Sequence, residues 1–328
     1  ITMATFKTFT AIGMREDLSN TIYNIAPTET PVISSIGKTK ATARLHQWQT
    51  DTLGAATNNA LVEGADAVFG TLAPTVNAVN ATQIAGKTVN VSGSLDAVDK
   101  AGRKTETAYQ LAKAGQELKR DMEKTILGNV ATANAAGAAP LMGSIQTWIR
   151  TNWTTASTPG AAAKPAGAVA GATTRTPSTV AQQTAFSEAA LKIVIKKVFE
   201  QGGTPSMLVV PPTQKQKVSA FAGIAEQRYA APSNKQTTII GAADVYLSDF
   251  GTLSVVPDRF MTPDVAATGT GEQALVLDPT MLSIATLRPF QSTELAQAGD
   301  ATKHQMLTEY TLQVNNEAAH GIVADLTI

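Results

Sequence analysis

The chain has 328 residues, with 26 basic and 26 acidic side chains, three histidines and no cysteine. That length fits one elaborate domain or two, at about 150 residues each, and the zero net charge supplies no overall basic field for nucleic acid or anionic lipid. The missing thiols exclude disulfide staples, thiolate nucleophiles, Cys-type zinc sites and iron–sulfur clusters. The 43% hydrophobic content leans on alanine, aromatics are 5% and charged residues 16%, below the usual quarter or so. Stability must then come from many small contacts, which favours extended, interlocked or oligomeric burial. No run of about 18 apolar residues reads as a transmembrane helix. No basic region followed by an apolar run reads as a secretory signal; Met3 reads as an ordinary start, and synthesis inside a cell is the expectation.

Residues 1–40 read as an arm. Phe6, Phe9, Ile12, Leu18, Ile22 and Ile25 punctuate a polar stretch, and a helix is expected from about Arg15 to Asn24. Pro27 and Pro31 hold the chain extended, and Val32, Ile33 and Ile36 make an apolar anchor. Residues 41–93 read as a long two-stranded excursion, from Ala43–Thr50 to Lys87–Ser92, where Val89 and Val91 share one face. Between them lies a Gly/Ala/Asn-rich piece whose few large apolar residues are Leu53, Leu61, Val62 and Phe69. A hairpin of this length without its own core is marginal alone, so it is expected to lean on another surface.

The strongest helix is expected over 105–127, with Leu111, Leu118, Met122 and Ile126 along one stripe. Thr105 is its candidate N-cap, Gly128 its C′ residue, and Lys113–Glu117, Glu117–Arg120 and Asp121–Lys124 its surface pairs. From Thr151 to Gln182, 25 of 32 residues are Ala, Gly, Thr, Ser or Pro, which reads as an insertion with little core, based on Trp148 and Trp153. Residues 183–261 read as an α/β unit: a helix through Ala190–Val198 stopping at Gly202-Gly203, a strand at Met207–Val210, a helix from Thr213 to Phe221, and a hairpin over Asp244–Val256. Strands follow at Leu275–Leu277, Leu282–Leu287 and Met306–Val314, the last alternating cleanly.

Motifs for chemistry are sparse. Ala85-Gly86-Lys87-Thr88 resembles the end of a phosphate-binding loop, but Ala81 stands where the earlier glycine belongs and a strand follows instead of a helix. Gly86 reads as a bend in the hairpin. Gly269-Thr270-Gly271 lacks the strand–helix context of a dinucleotide site. His46, His304 and His320 have no histidine or cysteine neighbour at metal-ligand spacing; His304 lies four residues from Asp300 and near Glu309, but no Gly-x-Ser-x-Gly elbow supports a nucleophilic serine. No catalytic residue, cofactor or metal site is expected. Lys and Arg are scattered, which gives no basis for sequence-specific nucleic-acid binding.

The order of the pieces carries more: an extended arm, a coreless hairpin, one long helix, an α/β unit and a returning strand set. Four stretches sharpen it, EDLSNTIYNIAPTETPVISSIGKTKA at Glu16–Ala41, ELKRDMEKTILGN at Glu117–Asn129, VYLSDFGTLSVVPDRFM at Val245–Met261 and LTEYTLQVNNEAAHGIVADL at Leu307–Leu326. In this order they resemble the major capsid proteins of tailed phages with the Hong Kong 97-type fold, an α+β class. The resemblance implies an N-arm (1–40), an E-loop (41–93), a peripheral domain with a spine helix (94–150, returning over 276–328), an insertion (151–182) and an axial domain (183–275). It implies self-assembly as pentamers and hexamers into an icosahedral head around double-stranded DNA, with inter-subunit contacts at Phe6, Phe9, Leu18, Ile22, Leu61, Glu63 and Phe69. The partners implied are further copies of the chain, with portal, scaffolding and decoration proteins, in a virion capsid assembled in the host bacterial cytoplasm without membrane contact. An encapsulin-like compartment shell and a tail tube or sheath protein are the alternatives. Some relatives carry a Lys–Asn crosslink; no residue pattern here carries it over.

Overall fold

A computed structural model of the chain describes residues 25–64, 66, 69–155, 171, 173–174, 183–221, 244–261, 272–297 and 299–327. The expected helix at 15–24, the arm residues Phe6, Phe9, Leu18 and Ile22, and most of 151–182 lie outside the described residues.

Pro31 starts a short helix, α1 (Pro31–Ser35), which runs into strand β1 (Gly37–Lys40). A hairpin follows, β2 (Leu45–Thr50) and β3 (Val76–Ala81), then β4 (Gln83–Ser92). The expected pairing of 43–50 with 87–92 is corrected here: β2 pairs with β3, from Leu45↔Ala81 to Thr50↔Val76, and β4 belongs to a different sheet. The short helix α2 (Gly93–Ala97) leads to the long helix α3 (Glu106–Leu127). Its start is not capped by the Thr105 side chain. Instead the Asp96 carboxylate accepts the Glu106 N–H at 2.8 Å and the Thr107 hydroxyl at 2.8 Å, filling the orphan-donor end with negative charge. Gly128 is extended at φ −62° rather than left-handed; Gln146 Nε2 donates to the Leu127 carbonyl at 2.6 Å and so satisfies the helix end. Ala114, Leu118, Met122, Ile126 and Leu127 are the buried apolar residues of α3, while Leu111 is only half-buried. Lys113–Glu117 pairs as expected at 3.9 Å, but Asp121 reaches across to Lys87 of β4 at 2.8 Å.

A helical turn, α4 (Ile145–Trp148), precedes β5 (Trp153–Thr155), so the insertion read at 151 begins with a fully buried strand. Then come α5 (Glu188–Glu200), β6 (Met207–Val210), α6 (Pro212–Ser219), β7 (Val245–Ser248), β8 (Gly251–Pro257), β9 (Ala274–Leu277), β10 (Leu282–Leu295), β11 (Ala301–Val314) and β12 (Gly321–Ala324). Ser187 caps α5, accepting the Ala190 N–H, and Gly202 leaves the helix at φ +87°, a conformation glycine adopts without strain. Pro212, not Thr213, begins α6. In β7 the inward residue is Tyr246, while Val245 and Leu247 face outward.

The strands form three sheets. One has the order β1-β10-β11-β4, one the order β5-β12-β9-β6-β8-β7, and β2-β3 stand alone. β10 and β11 are far longer than the hydrophobic runs that announce them; their register shifts around Arg288, where Pro289 has no N–H to give the ladder. Gly86 is not a bend: it sits inside β4 opposite Leu307, and a Cβ there would press into the Leu307 side chain. The C-terminal return over 276–328 is divided, since β10 and β11 join the four-stranded sheet while β12 pairs with β9 and β5 in the six-stranded one.

Two cores result. Met207, Val209, Leu275, Leu277 and Ile322 face one cluster with α3, Trp148 and Trp153. Their neighbours Leu208, Val210, Ala274, Val276 and Val323 face the other, under α5. Both faces of the six-stranded sheet are thus covered, which is why β6 and β9 read as unbroken apolar runs. The tryptophans pack here: Trp48 and Trp148 lie with ring centres 5.1 Å apart, and Trp153 is fully buried. The alanine-rich composition therefore does not leave the chain without a core; what it leaves uncovered is the excursion.

Candidate assembly interface

The excursion is anchored firmly at its base. Asn80 is buried; its Nδ2 donates to the Leu312 carbonyl at 2.7 Å and its Oδ1 accepts the Gly143 N–H at 2.8 Å. The Thr82 N–H closes onto the Arg44 carbonyl at 2.8 Å, and the Trp48 indole N–H reaches the Val314 carbonyl at 2.8 Å. Beyond β2 and β3 the chain runs through 51–75 without regular structure at its described residues. Leu53, Leu61, Val62, Phe69 and Leu72 are each at least 79% exposed there. Burying one such side chain contributes about 1.5–3 kcal/mol, and exposed apolar residues held together on one excursion mark an interaction surface. Glu63 is exposed as well, beside Gly64 at φ +81°. The structure thus places three sequence-predicted residues, Leu61, Glu63 and Phe69, on one stretch. Leu72 and Val76 belong to the same apolar series and were missed because the window around them reads as ordinary loop.

A second uncovered surface lies at the edge of the six-stranded sheet. β7 is the last strand of the order, Val245 and Leu247 are exposed on it, and Phe199 and Phe250 stack beside it with ring centres 4.7 Å apart. An open strand edge with apolar side chains is a template for association.

At the root of the arm, charge is buried. Glu123 on α3 accepts the Val32 N–H at 2.7 Å and the Ile33 N–H at 2.9 Å, gripping the first turn of α1. Asp258, just past β8, hydrogen-bonds Glu123 and accepts the Phe260 N–H at 2.6 Å. Burial, then the neighbouring Asp258 charge, push the Glu123 carboxyl up to about 8 against the pull of the two N–H donors; burial also raises Asp258. Glu123 reads as one of many solvated helix charges in the sequence, and nothing local distinguishes it.

The remaining polar candidates have structural placements. His46 bonds Gln313 at 2.9 Å, His304 lies in β11 opposite Glu294 and Val89, and His320 is buried, accepting the Asp278 N–H at 3.2 Å. Among the described residues no group of three or more His, Asp or Glu converges as a metal site, and no helix is long and apolar enough to cross a membrane.

Comparison with known proteins agrees with the architecture. A family model for the SU10 major capsid protein matches residues 1–327. A major capsid protein of Escherichia phage Phieco32 is 39% identical over 127 residues, 38% of this chain and 36% of the relative's length. Among solved structures, a capsid chain of cyanophage A-1(L) superposes with a TM-score of 0.68 at 11% identity, covering 96% of this chain and 98% of that one. The SrpI encapsulin of Synechococcus elongatus superposes less well, at 0.53 and 9% identity, covering 99% and 96%. At these identities the structures establish the fold, the Hong Kong 97-type capsid fold, and the match along nearly the entire sequence establishes the family: the chain belongs to the SU10 major capsid proteins.

Proposed function

We propose that this chain is the repeating subunit of an icosahedral phage head, assembling as pentamers and hexamers around double-stranded DNA. The observation that carries the proposal is the family match over residues 1–327. The exposed apolar series of 51–76 supplies its physical counterpart. In this role the excursion is the E-loop and lies on a neighbouring copy, with Leu61, Glu63 and Phe69 in the contact and Leu53, Val62 and Leu72 beside them. The open edge of β7 with Phe199 and Phe250 meets a further copy around the capsomer axis. A heterologous contact of this kind closes into rings. Residues 1–40 act as the arm with Phe6, Phe9, Leu18 and Ile22 as its contacts, 94–150 and 276–320 as the peripheral domain, and 183–275 with β12 as the axial domain.

The role is structural, with no catalytic step, cofactor or metal assigned. Portal, scaffolding and decoration proteins are its expected partners in the host cytoplasm, and the virion capsid its destination. Electron microscopy of the purified chain tests the proposal. Closed polyhedral particles support it; open tubes favour a tail-type assembly, and discrete monomers at high concentration contradict it.

A further inference from the structure

We infer that Glu123 and Asp258 form a proton-holding latch that pins the segment 31–36 onto α3, and that losing its proton loosens that segment. Three observations meet here. Both carboxyl groups are fully buried. Both Glu123 oxygens are engaged by the backbone of α1. Asp258 Oδ2 is buried with no donor at hydrogen-bonding geometry, and the groups acting on this carboxyl are the Phe260 and Met261 backbone and the neighbouring Glu123 carboxyl. A buried oxygen with no N–H, hydroxyl or cation donor is costly unless a proton lies on it or is shared with it. Two like charges at one site cannot both ionise cheaply, so the pair titrates as a unit holding one proton.

The surrounding charges do not neutralise the pair. On α3, Asp121 and Lys124 are exposed, and Arg120 is engaged over the Phe260 ring, 5.7 Å from its centre. Glu29 and Lys38, flanking α1, and Arg259, following Asp258, are also exposed. Tyr310 stays protonated throughout the neutral range, burial pushing its phenol up to about 12. Asp258 is the one charged group that acts appreciably on Glu123.

The sign follows from proton counting. The closed segment holds a proton that the opened, solvated carboxyls release near their ordinary values, so closure weakens as pH rises from about 4.5 and levels off above about 8. The latch stands independently of the shell proposal, and in a shell it would make the seating of the arm root sensitive to pH.

Hydrogen exchange of the full chain at pH 6 to 9.5, with each amide normalised to its intrinsic rate, tests it. The amides of 32–36 should open up to about tenfold more per pH unit until about pH 8 and then plateau, while those of α5 show no such slope. Asp258→Asn, whose amide N–H can take the place of the shared proton and stabilise the ionised Glu123, should flatten the profile. Glu123→Gln should flatten it too, and serves if the first variant fails to fold. A wild-type profile without slope at 32–36, or an unchanged slope in either folded variant, overturns the latch.

Discussion

Val194 on α5 and Gly321 on β12 touch so closely that a methyl group built on Gly321 would overlap Cγ1 of Val194. The helix lies on the sheet at this point because β12 offers no side chain. Gly321→Ala should therefore lower stability by about 1–3 kcal/mol, the usual cost of overpacking. The check is the melting temperature of the variant beside Val194→Ala/Gly321→Ala, in which Val194→Ala makes room; no partial recovery in the double variant would argue against the close approach.

Asn80 supplies donors to two carbonyls and an acceptor to one N–H from a buried position. Asn80→Asp keeps the shape but turns both donors into acceptors facing carbonyl oxygens. The aspartate should cost about 2–4 kcal/mol at pH 7. Its folded-state pKa is raised, so the deficit should shrink as pH falls toward 5, where the buried carboxyl takes up a proton. Urea midpoints at the two pH values measure the difference, and an equal deficit at both would contradict the assignment.

His320 carries the opposite pH dependence. Burial pushes its imidazole down to about 4, against the pull of Asp278 and the Met281 backbone, from an ordinary value of 6.5. Below about 6.5 the unfolded chain binds a proton that the folded chain refuses, so stability falls as pH drops from 6.5 toward 4, by an amount on the order of 3 kcal/mol. His320→Gln should show a shallower loss over that window. Parallel acid profiles for the two proteins would exclude His320 as the source.

Legibility in the sequence followed range. Elements announced by a local pattern were readable: the α3 stripe through Leu118, Met122 and Ile126, the apolar run of β6, the β7–β8 hairpin with Gly251 at φ +141°. Pairings were not. Nothing in Val89 and Val91 says that β4 lies beside β11 rather than β2, because alternation marks a face and not a neighbour. The same blindness hid the Glu123–Asp258 meeting, since an isolated carboxylate on a charged helix looks solvated until a distant segment buries it. The excursion was legible in part. Leu61 and Phe69 stand out against glycine and asparagine, but their exposure depends on two distant cores that are complete without them.

The absence of cysteine allows the central claim to be tested directly. A single Phe69→Cys substitution places one thiol at a residue that is 95% exposed in the isolated chain, and it should not alter the melting temperature of the subunit. Maleimide labelling should be rapid in dissociated subunits and at least tenfold slower in assembled particles. That protection, together with closed particles in the microscope, is the predicted result. Equal labelling of subunits and particles would contradict burial of the excursion on a neighbouring copy.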